Sequence, residues 1–477
     1  MRLALPALAA LFLTACASLS DRALASLEQP GLEGTRFGLV VLTLDGRELV
    51  AINAGERFLP ASNTKLFTAA AAFHRLGDMS QPDPARGTSL ELVPNAEGPP
   101  TLVLVGRGDA MLIDAPDCIR DCLSDLADIV VGADIREIAG IVADETHLPH
   151  ELWPPGWSHE DLETRSGAPV SALTVNSNEM RIKVTPGAAV GDSARMEWVD
   201  QPPAHTLEGE LTTTDNEEAA FEASILPAGP QTEVRLHGEI NRTRPAVNLA
   251  LAVQDPANSA ALRLKALLEA RGISAGAFVE TRARSQFGAA PVRREGVEIA
   301  RLIPPPLIEN VTFLMKQSQN LHAELLLRRL GLVEGDGSRE AGLVIVEAML
   351  NEAGVPRWSW DFSDGSGMSV YNRVTPRTTA DFLLWTTQQP WGDAFRETLP
   401  IGGVDGTLRR RFSGTSLEGR TFAKTGTLRG TNALSGFMLT KSGQLLVFAA
   451  FANERPSEAE TAIRALDATL VAISETN

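Results

Sequence analysis

The segment Phe58-Leu59-Pro60-Ala61-Ser62-Asn63-Thr64-Lys65 runs directly into Leu66-Phe67 and an alanine-rich stretch that ends at Gly77. Its spacing predicts a helix from Ser62 to Leu76, with the glycine as stop signal. Positions three apart share a helix face, so Ser62 at the helix start and Lys65 one turn later can meet. A serine hydroxyl becomes a useful nucleophile only when a base takes its proton. A lysine can be that base when burial or a neighbouring cation depresses its pKa. The helix N-terminus adds backbone N–H groups for a developing oxyanion. Alone, Ser-x-x-Lys is a weak signal, because most instances are helix caps.

The sequence on either side of this segment gives it a frame. Before it, Arg36 to Leu44 is an apolar strand, Asp45-Gly46 is a two-residue turn, and Arg47 to Ile52 returns. Far downstream, Thr421 to Thr427 reads as a strand. Ala433 to Leu439 and Gln444 to Ala452 form a hairpin around Lys441-Ser442-Gly443. Helices are expected at Asn310 to Lys316, Leu321 to Leu330, Ser338 to Ala353 and Ser457 to Ile473. Strands from both ends of the chain can therefore share one antiparallel sheet with helices packed on it. Between about Asp78 and Gln254 the texture changes to short strand-like runs and Pro- and Gly-rich turns, with one helix over Asp117 to Val130. The expected fold is multidomain α/β. A catalytic domain of residues 17–77 and 255–477 is interrupted by a mainly β insertion, 78–254, of one or two small domains.

Two further motifs follow in order. Ser318-Gln319-Asn320 lies between two helical runs, and Lys424-Thr425-Gly426 lies inside the strand-like segment. Each is weak alone: an asparagine before a helix is usually a cap, and Lys-Thr-Gly is usually a turn. Together, each sits on the element it needs: helix start, interhelical loop, strand. The set is the one shared by class A β-lactamases and penicillin-binding proteins.

The chain resembles the D-alanyl-D-alanine carboxypeptidase/endopeptidase family of class C, low-molecular-mass penicillin-binding proteins. Other stretches carry the same likeness: Asp364-Gly365-Ser366-Gly367-Met368-Ser369 with Asn372 and Val374-Thr375-Pro376, then Leu399 to Thr407, Gly106-Arg107-Gly108-Asp109, Pro155-Gly156-Trp157 and Ala252-Val253-Gln254-Asp255. The long interval between the first two motifs argues against a compact β-lactamase and matches a family with inserted domains. The resemblance implies a β-lactamase/transpeptidase-like catalytic domain. It also implies a serine D,D-peptidase acting on peptidoglycan stem peptides at D-Ala-D-Ala or D-Ala–diamino-acid bonds, with β-lactams as inhibitors.

The implied roles follow. Ser62 attacks the scissile carbonyl and Lys65 accepts its proton. Ser318 relays a proton to the leaving amine, in contact with Lys65 and Lys424. Asn320 orients Lys65 and binds the substrate amide. Lys424 and Thr425 hold the terminal carboxylate, and Gly426 leaves room for substrate along the strand. The N–H groups of Ser62 and Thr427 form an oxyanion hole, about 3–4 kcal/mol per donor. Asp161 meets the free amine of the diamino acid; the competing reading is a surface carboxylate. Two alternatives in function remain: a β-lactamase or esterase on the same motifs, and a non-catalytic cell-wall-binding lipoprotein.

Composition narrows the rest. The chain has 477 residues and a net charge of −17. It has no basic stripe of the kind a nucleic-acid binder carries; Arg409-Arg410-Arg411 reads as a solvated face. His147 and His150 flank Leu148-Pro149 and do not have helical ligand spacing, so no metal or cofactor is expected. Leu3 to Leu13 is an apolar stretch too short to span a bilayer and reads as a secretory signal, with residues 1–16 as signal peptide and lipobox. Leu13-Thr14-Ala15-Cys16 fits a lipobox with a lipid anchor at Cys16; Ala15-Cys16-Ala17 also fits ordinary cleavage. Both readings export the chain to the periplasm. An oxidising compartment allows a Cys118–Cys122 disulfide. Four residues apart on a regular helix, however, the Cβ atoms are about 5–6 Å apart, beyond usual disulfide spacing. Two free buried thiols are the alternative.

Overall fold

The computed structural model describes residues 19–228, 231–285, 296–456 and 459–477. The leader, Cys16 and Ser457 lie outside the described residues. Among the described residues, no helix is long and apolar enough to cross a membrane.

Helix α1 (Leu19–Leu27) precedes the hairpin β1 (Arg36–Thr43) and β2 (Glu48–Ile52), and α2 (Thr64–Arg75) follows. A long excursion comes next: β3 (Ser89–Val93), β4 (Thr101–Val105), α3 (Leu123–Gly132), β5 (Glu137–His150), β6 (Glu179–Thr185), β7 (Arg195–Asp200), β8 (His205–Thr214), β9 (Phe221–Ala228), β10 (Gln231–Asn241), β11 (Val247–Ala252), α4 (Pro256–Ala270), β12 (Ser274–Ser285) and β13 (Val297–Arg301). The chain then returns through α5 (Leu307–Gln317), α6 (Asn320–Glu334), α7 (Arg339–Glu352), β14 (Trp360–Asp361), β15 (Arg373–Val374), α8 (Pro376–Thr386), α9 (Gly392–Glu397), β16 (Thr421–Leu428), β17 (Thr431–Leu439), β18 (Leu445–Asn453) and α10 (Ala459–Thr476).

The main sheet has strand order β16-β17-β18-β1-β2 and is antiparallel throughout. Strand alternation sends successive side chains to opposite faces. In β1, Val40 and Leu42 join the core beneath α2 and α5 to α9, whereas Leu39 and Val41 join the core beneath α1 and α10. Strand β18 divides the same way: Val447, Ala449 and Phe451 on one side, Leu446, Phe448 and Ala450 on the other. The sheet is therefore buried on both faces, which is why its strands read as nearly continuous apolar runs. Helix α2 is covered all round. Ala69 to Ala72 are fully buried, and the Phe67 ring lies 4.6 Å from that of Phe382 and 4.8 Å from that of Phe362. Each such buried large side chain contributes about 1.5–3 kcal/mol. The segment that carries Ser62 and Lys65 is thus anchored in a buried core.

The excursion builds two units. Sheet β12-β5-β4-β3-β13 packs on α3 and α4 around one core, and sheets β8-β10-β9 and β11-β6-β7 share another. Strand β12 pairs with β5, and β13 with β3. A return to the main domain at 255 is therefore too early, because β12 and β13 still belong to this sheet. Helix α4 belongs here as well: Leu264 and Leu268 enter the same core.

The helix expected over Asp117 to Val130 starts only at Leu123. Cys118 and Cys122 precede it and are joined in a disulfide with a Cα–Cα distance of 5.8 Å. The helical spacing that argued against this pairing does not apply to a loop.

Candidate active site

The approach to Ser62 is not a plain helix start. Ala61–Asn63 form a single 3-10 turn ahead of α2. Ala61 sits at φ 47°, in the left-handed region that non-glycine residues rarely adopt. Two glycines close on this turn. A Cβ at Gly367, which has φ 88°, would lie 1.9 Å from Ala61 O. A Cβ at Gly426 would lie 2.6 Å from Pro60 O. Gly426 was expected to make room for substrate. It is also buried against the turn that carries Ser62, and its missing side chain lets β16 approach Pro60 and Ala61.

Lys65 is fully buried. Its Nζ lies 2.9 Å from Ser62 Oγ, 2.6 Å from Asn320 Oδ1 and 2.6 Å from Ser366 O. Burial lowers its pKa to about 7, against the opposing pull of the Asp364 and Glu324 carboxylates. Asn320 is held from its other end, with Nδ2 donating to Ser166 O at 2.8 Å. Ser318 caps the C-terminus of α5 at φ 58°, a left-handed position. That kink turns its hydroxyl toward Lys424, whose Nζ lies 2.8 Å from Ser318 Oγ and 2.9 Å from Thr425 O. Lys424 is also fully buried, and burial, then the charge of Lys65, hold its pKa well below the usual lysine range.

Strand β16 is the edge of the main sheet. Ala423 N–H bonds outward to Pro400 O, and Thr421 O accepts outward from Gly402 N–H. Alternation along the strand then gives Thr425 and Thr427 the same outward backbone direction. An extended peptide could add to this edge as another strand. Thr425 Oγ1 lies 2.7 Å from Thr407 Oγ1. A cleft of about 310 Å³ opens here, lined by Ser62, Ser318, Asn320, Thr407, Thr425 and Thr427, with Arg165, Ser166 and Met368 among the rest.

The excursion completes the cleft. Gln319 Nε2 donates to Glu179 Oε1 at 2.8 Å, and Trp157 Nε1 donates to Asp364 Oδ2 at 3.0 Å. Asp161 lies on the same loop as Arg165 and Ser166 but is not among the cleft-lining residues. It is half-buried, and burial, then the charge of Glu160, raise its pKa.

The sequence reading missed the acids behind Lys65. Glu324 is fully buried on α6, one turn beyond Asn320. The i, i+4 spacing on a helix that starts at Asn320 was the available signal. Asp364, buried in a quoted family stretch, accepts from Gly367 N–H at 2.8 Å, Ser369 N–H at 2.7 Å and Asn372 Nδ2 at 2.7 Å. It thereby shapes the bend that carries Ser366 O.

Comparison with known proteins identifies the family and the fold. Residues 20–473 match the model of the D-Ala-D-Ala carboxypeptidase 3 (S13) family. The chain is 34% identical to a D-alanyl-D-alanine carboxypeptidase of Actinomadura sp. over 473 residues, covering 94% of this chain and 83% of the relative. Its fold is similar to that of penicillin binding protein 4 from Haemophilus influenzae, with a TM-score of 0.77 at 24% identity over 94% of this chain and 98% of that one. The same Haemophilus influenzae protein complexed with a β-lactam gives a TM-score of 0.70 at 23% identity, over 95% and 98%.

Proposed function

The chain belongs to the D-Ala-D-Ala carboxypeptidase 3 (S13) family and is a serine D,D-peptidase, and from that premise we propose that Ser62 is its acylated nucleophile and Lys65 its base. The observation that carries this assignment is the buried Lys65 amine 2.9 Å from Ser62 Oγ. With a pKa of about 7, a large share of that amine is unprotonated near neutrality and can accept a proton.

The substrate is a peptidoglycan stem peptide. Ser62 Oγ adds to the D-Ala carbonyl and its proton passes to Lys65. The N–H groups of Ser62 and Thr427 take the oxyanion; Ser62 lies in the first turn, where helical N–H groups lack intrahelical partners. Collapse breaks the C–N bond, and the proton reaches the leaving amine through Ser318. Asn320 keeps Lys65 aimed at Ser62 and faces the substrate amide. Lys424 and Thr425, with Thr407 beside them, take the terminal carboxylate of the leaving residue. Water then releases the acyl group from Ser62, with Lys65 again taking a proton. A β-lactam carbonyl enters the same steps and leaves a stable ester. Asp161 remains our candidate for the amine of a diamino-acid side chain, through its position on the cleft loop. Export to the periplasm, and a lipid anchor at Cys16, rest on the leader sequence.

Intact mass after incubation with benzylpenicillin tests the assignment. The wild type is expected to gain one drug mass, and Ser62→Ala none. An adduct on Ser62→Ala would sink Ser62 as nucleophile. Destruction of the drug without an adduct would favour a β-lactamase.

A further inference from the structure

Among the buried ionisable groups that the mechanism leaves unused is a carboxylate of α6. Glu324 is fully buried, and its Oε1 accepts from Gly365 N–H at 3.0 Å and Ser366 N–H at 2.8 Å. The next peptide group of that bend donates its N–H to Asp364 Oδ1 and offers Ser366 O to Lys65 Nζ at 2.6 Å. Thr68, one turn after Lys65 on α2, ties the bend from the other side through its hydroxyl to Gly365 O at 2.7 Å. Asn320 and Glu324 therefore reach the same lysine from one helix face: Asn320 directly, Glu324 through the bend.

Clamping two N–H groups needs only one oxygen, and a glutamine would supply it. Oε2 of Glu324 makes no hydrogen bond among the described residues. A buried carboxylate with a spare oxygen is costly unless its charge is used. The charges facing it are Lys65 on α2, Asp364 on the bend and Arg328 one turn on along α6; Lys424 adds its charge beyond Lys65.

We propose that Glu324 is a positioning residue for the reaction: it holds the bend that presents Ser366 O to Lys65, and its negative charge balances the buried ammonium formed when Lys65 takes the Ser62 proton. This rests on the roles assigned above to Ser62 and Lys65. Two shifts agree with it. Burial, then the charge of Asp364, push Glu324 up to about 7 against the pull of Arg328, and Lys65 falls to about 7. Both groups therefore change charge in the range where the enzyme has to work. Asp364 has the larger pull on Lys65, but its oxygens are occupied by the bend and by Trp157 and Asn372.

The test is the rate of acylation of Ser62 by benzylpenicillin between pH 5 and 9, for the wild type, Glu324→Gln and Thr68→Val, with melting temperatures alongside. Glu324→Gln keeps the clamp and removes the charge. It is expected to slow acylation about tenfold to a hundredfold at pH 7 and to move the acidic limb of the profile down by about one unit, because an amine that loses a nearby carboxylate gives up its proton more readily. Thr68→Val loosens the bend and leaves the charge; it is expected to lower the rate without moving the limb. A Glu324→Gln profile that keeps the wild-type limb overturns the proposal, since a merely structural role predicts that result. If Glu324→Gln does not fold, Glu324→Asp keeps the charge and withdraws the clamp. It is then expected to lose rate at an unmoved limb, and a displaced limb overturns the proposal. Should the wild type fail to acylate at Ser62, the assigned mechanism falls and this inference with it.

Discussion

Lys65 and Lys424 are both fully buried and both stand at the same cleft, yet their surroundings differ. Behind Lys65 the protein places two carboxylates, Asp364 and Glu324, which restore part of the basicity that burial removes. Lys424 faces the Ser318 hydroxyl and the Thr425 carbonyl, and the charge acting on it is that of Lys65, which depresses it further. One lysine has its counter-charge built into the fold. The other has to receive one from outside, and in the proposed mechanism the terminal carboxylate of a D,D-peptide brings it. The same residue type, equally desolvated, thereby suits two tasks: a base tuned near neutrality on α2, and an anion receptor on β16.

The largest expected effect separates those tasks directly. Lys65→Met should cut acylation by about 10²- to 10⁴-fold, the usual worth of a general base, whatever the acyl donor. Lys424→Met should cost about ten- to a hundredfold on donors that carry the carboxylate, as expected for losing a hydrogen bond to a charged group. It should cost much less on an ester donor without that carboxylate. Rates of Ser62 ester formation by mass spectrometry decide the matter. Equal losses for Lys424→Met on both donors would mean that the two lysines share the base role, and the distinction would break.

Much of this was legible before any coordinates. Arg36 to Thr43 and the closing hairpin read as nearly continuous apolar runs because both faces of the sheet are buried, and the three motifs sat on the elements their chemistry needs. The excursion was harder to bound. Strands β12 and β13 pair with β5 and β3, and nothing local in a strand says which sheet it joins. The site was legible as a set of residue types but not as an electrostatic system. Glu324 reads as an ordinary polar position in Asn320 to Glu334 until the bend at 364–367 is seen to close on it. Gly426 was read for the substrate because its motif is, whereas the close approach of Pro60 O is a tertiary fact. The disulfide's awkward geometry belongs to a helix over 117–130, and the helix in fact begins at Leu123, just past Cys122.

A second effect follows from the missing counter-charge at Lys424. Burial, then the charge of Lys65, hold the pKa of its amine well below 10.5 in the free protein. A bound carboxylate favours the charged form and raises that pKa again. Binding should therefore be accompanied by proton uptake at this site. Calorimetry of a D,D-peptide with the Ser62→Ala protein, in buffers of different ionisation enthalpy, measures this uptake. Adding Lys424→Met to that protein should abolish it. Uptake that survives the second substitution would place the titrating group elsewhere and remove the reason for treating Lys424 as the receptor.

The smallest effect is on stability, and it sharpens the contrast most because the two lysines should move in different directions. Each lysine has a folded pKa below its unfolded value of 10.5. Such a group contributes most above 10.5, where both states are unprotonated, and that contribution is lost as pH falls from 10.5 toward the folded value, since the unfolded chain binds the proton first. At pH 7 Lys424 is thus a liability with no compensating acid, and Lys424→Met should raise the melting temperature, by an amount corresponding to about 1–4 kcal/mol. That gain should shrink as the pH is raised from 7 to 10. Lys65→Met removes a similar liability but leaves Asp364 and Glu324 buried without their cation, a loss of about 3–5 kcal/mol where one partner of a buried pair is removed. Its melting temperature should not exceed that of the wild type. If scanning calorimetry finds Lys65→Met as stabilising as Lys424→Met, the acids behind Lys65 are not balancing its charge. The low basicity of Lys65 would then be a consequence of burial alone, as it is for its neighbour on β16.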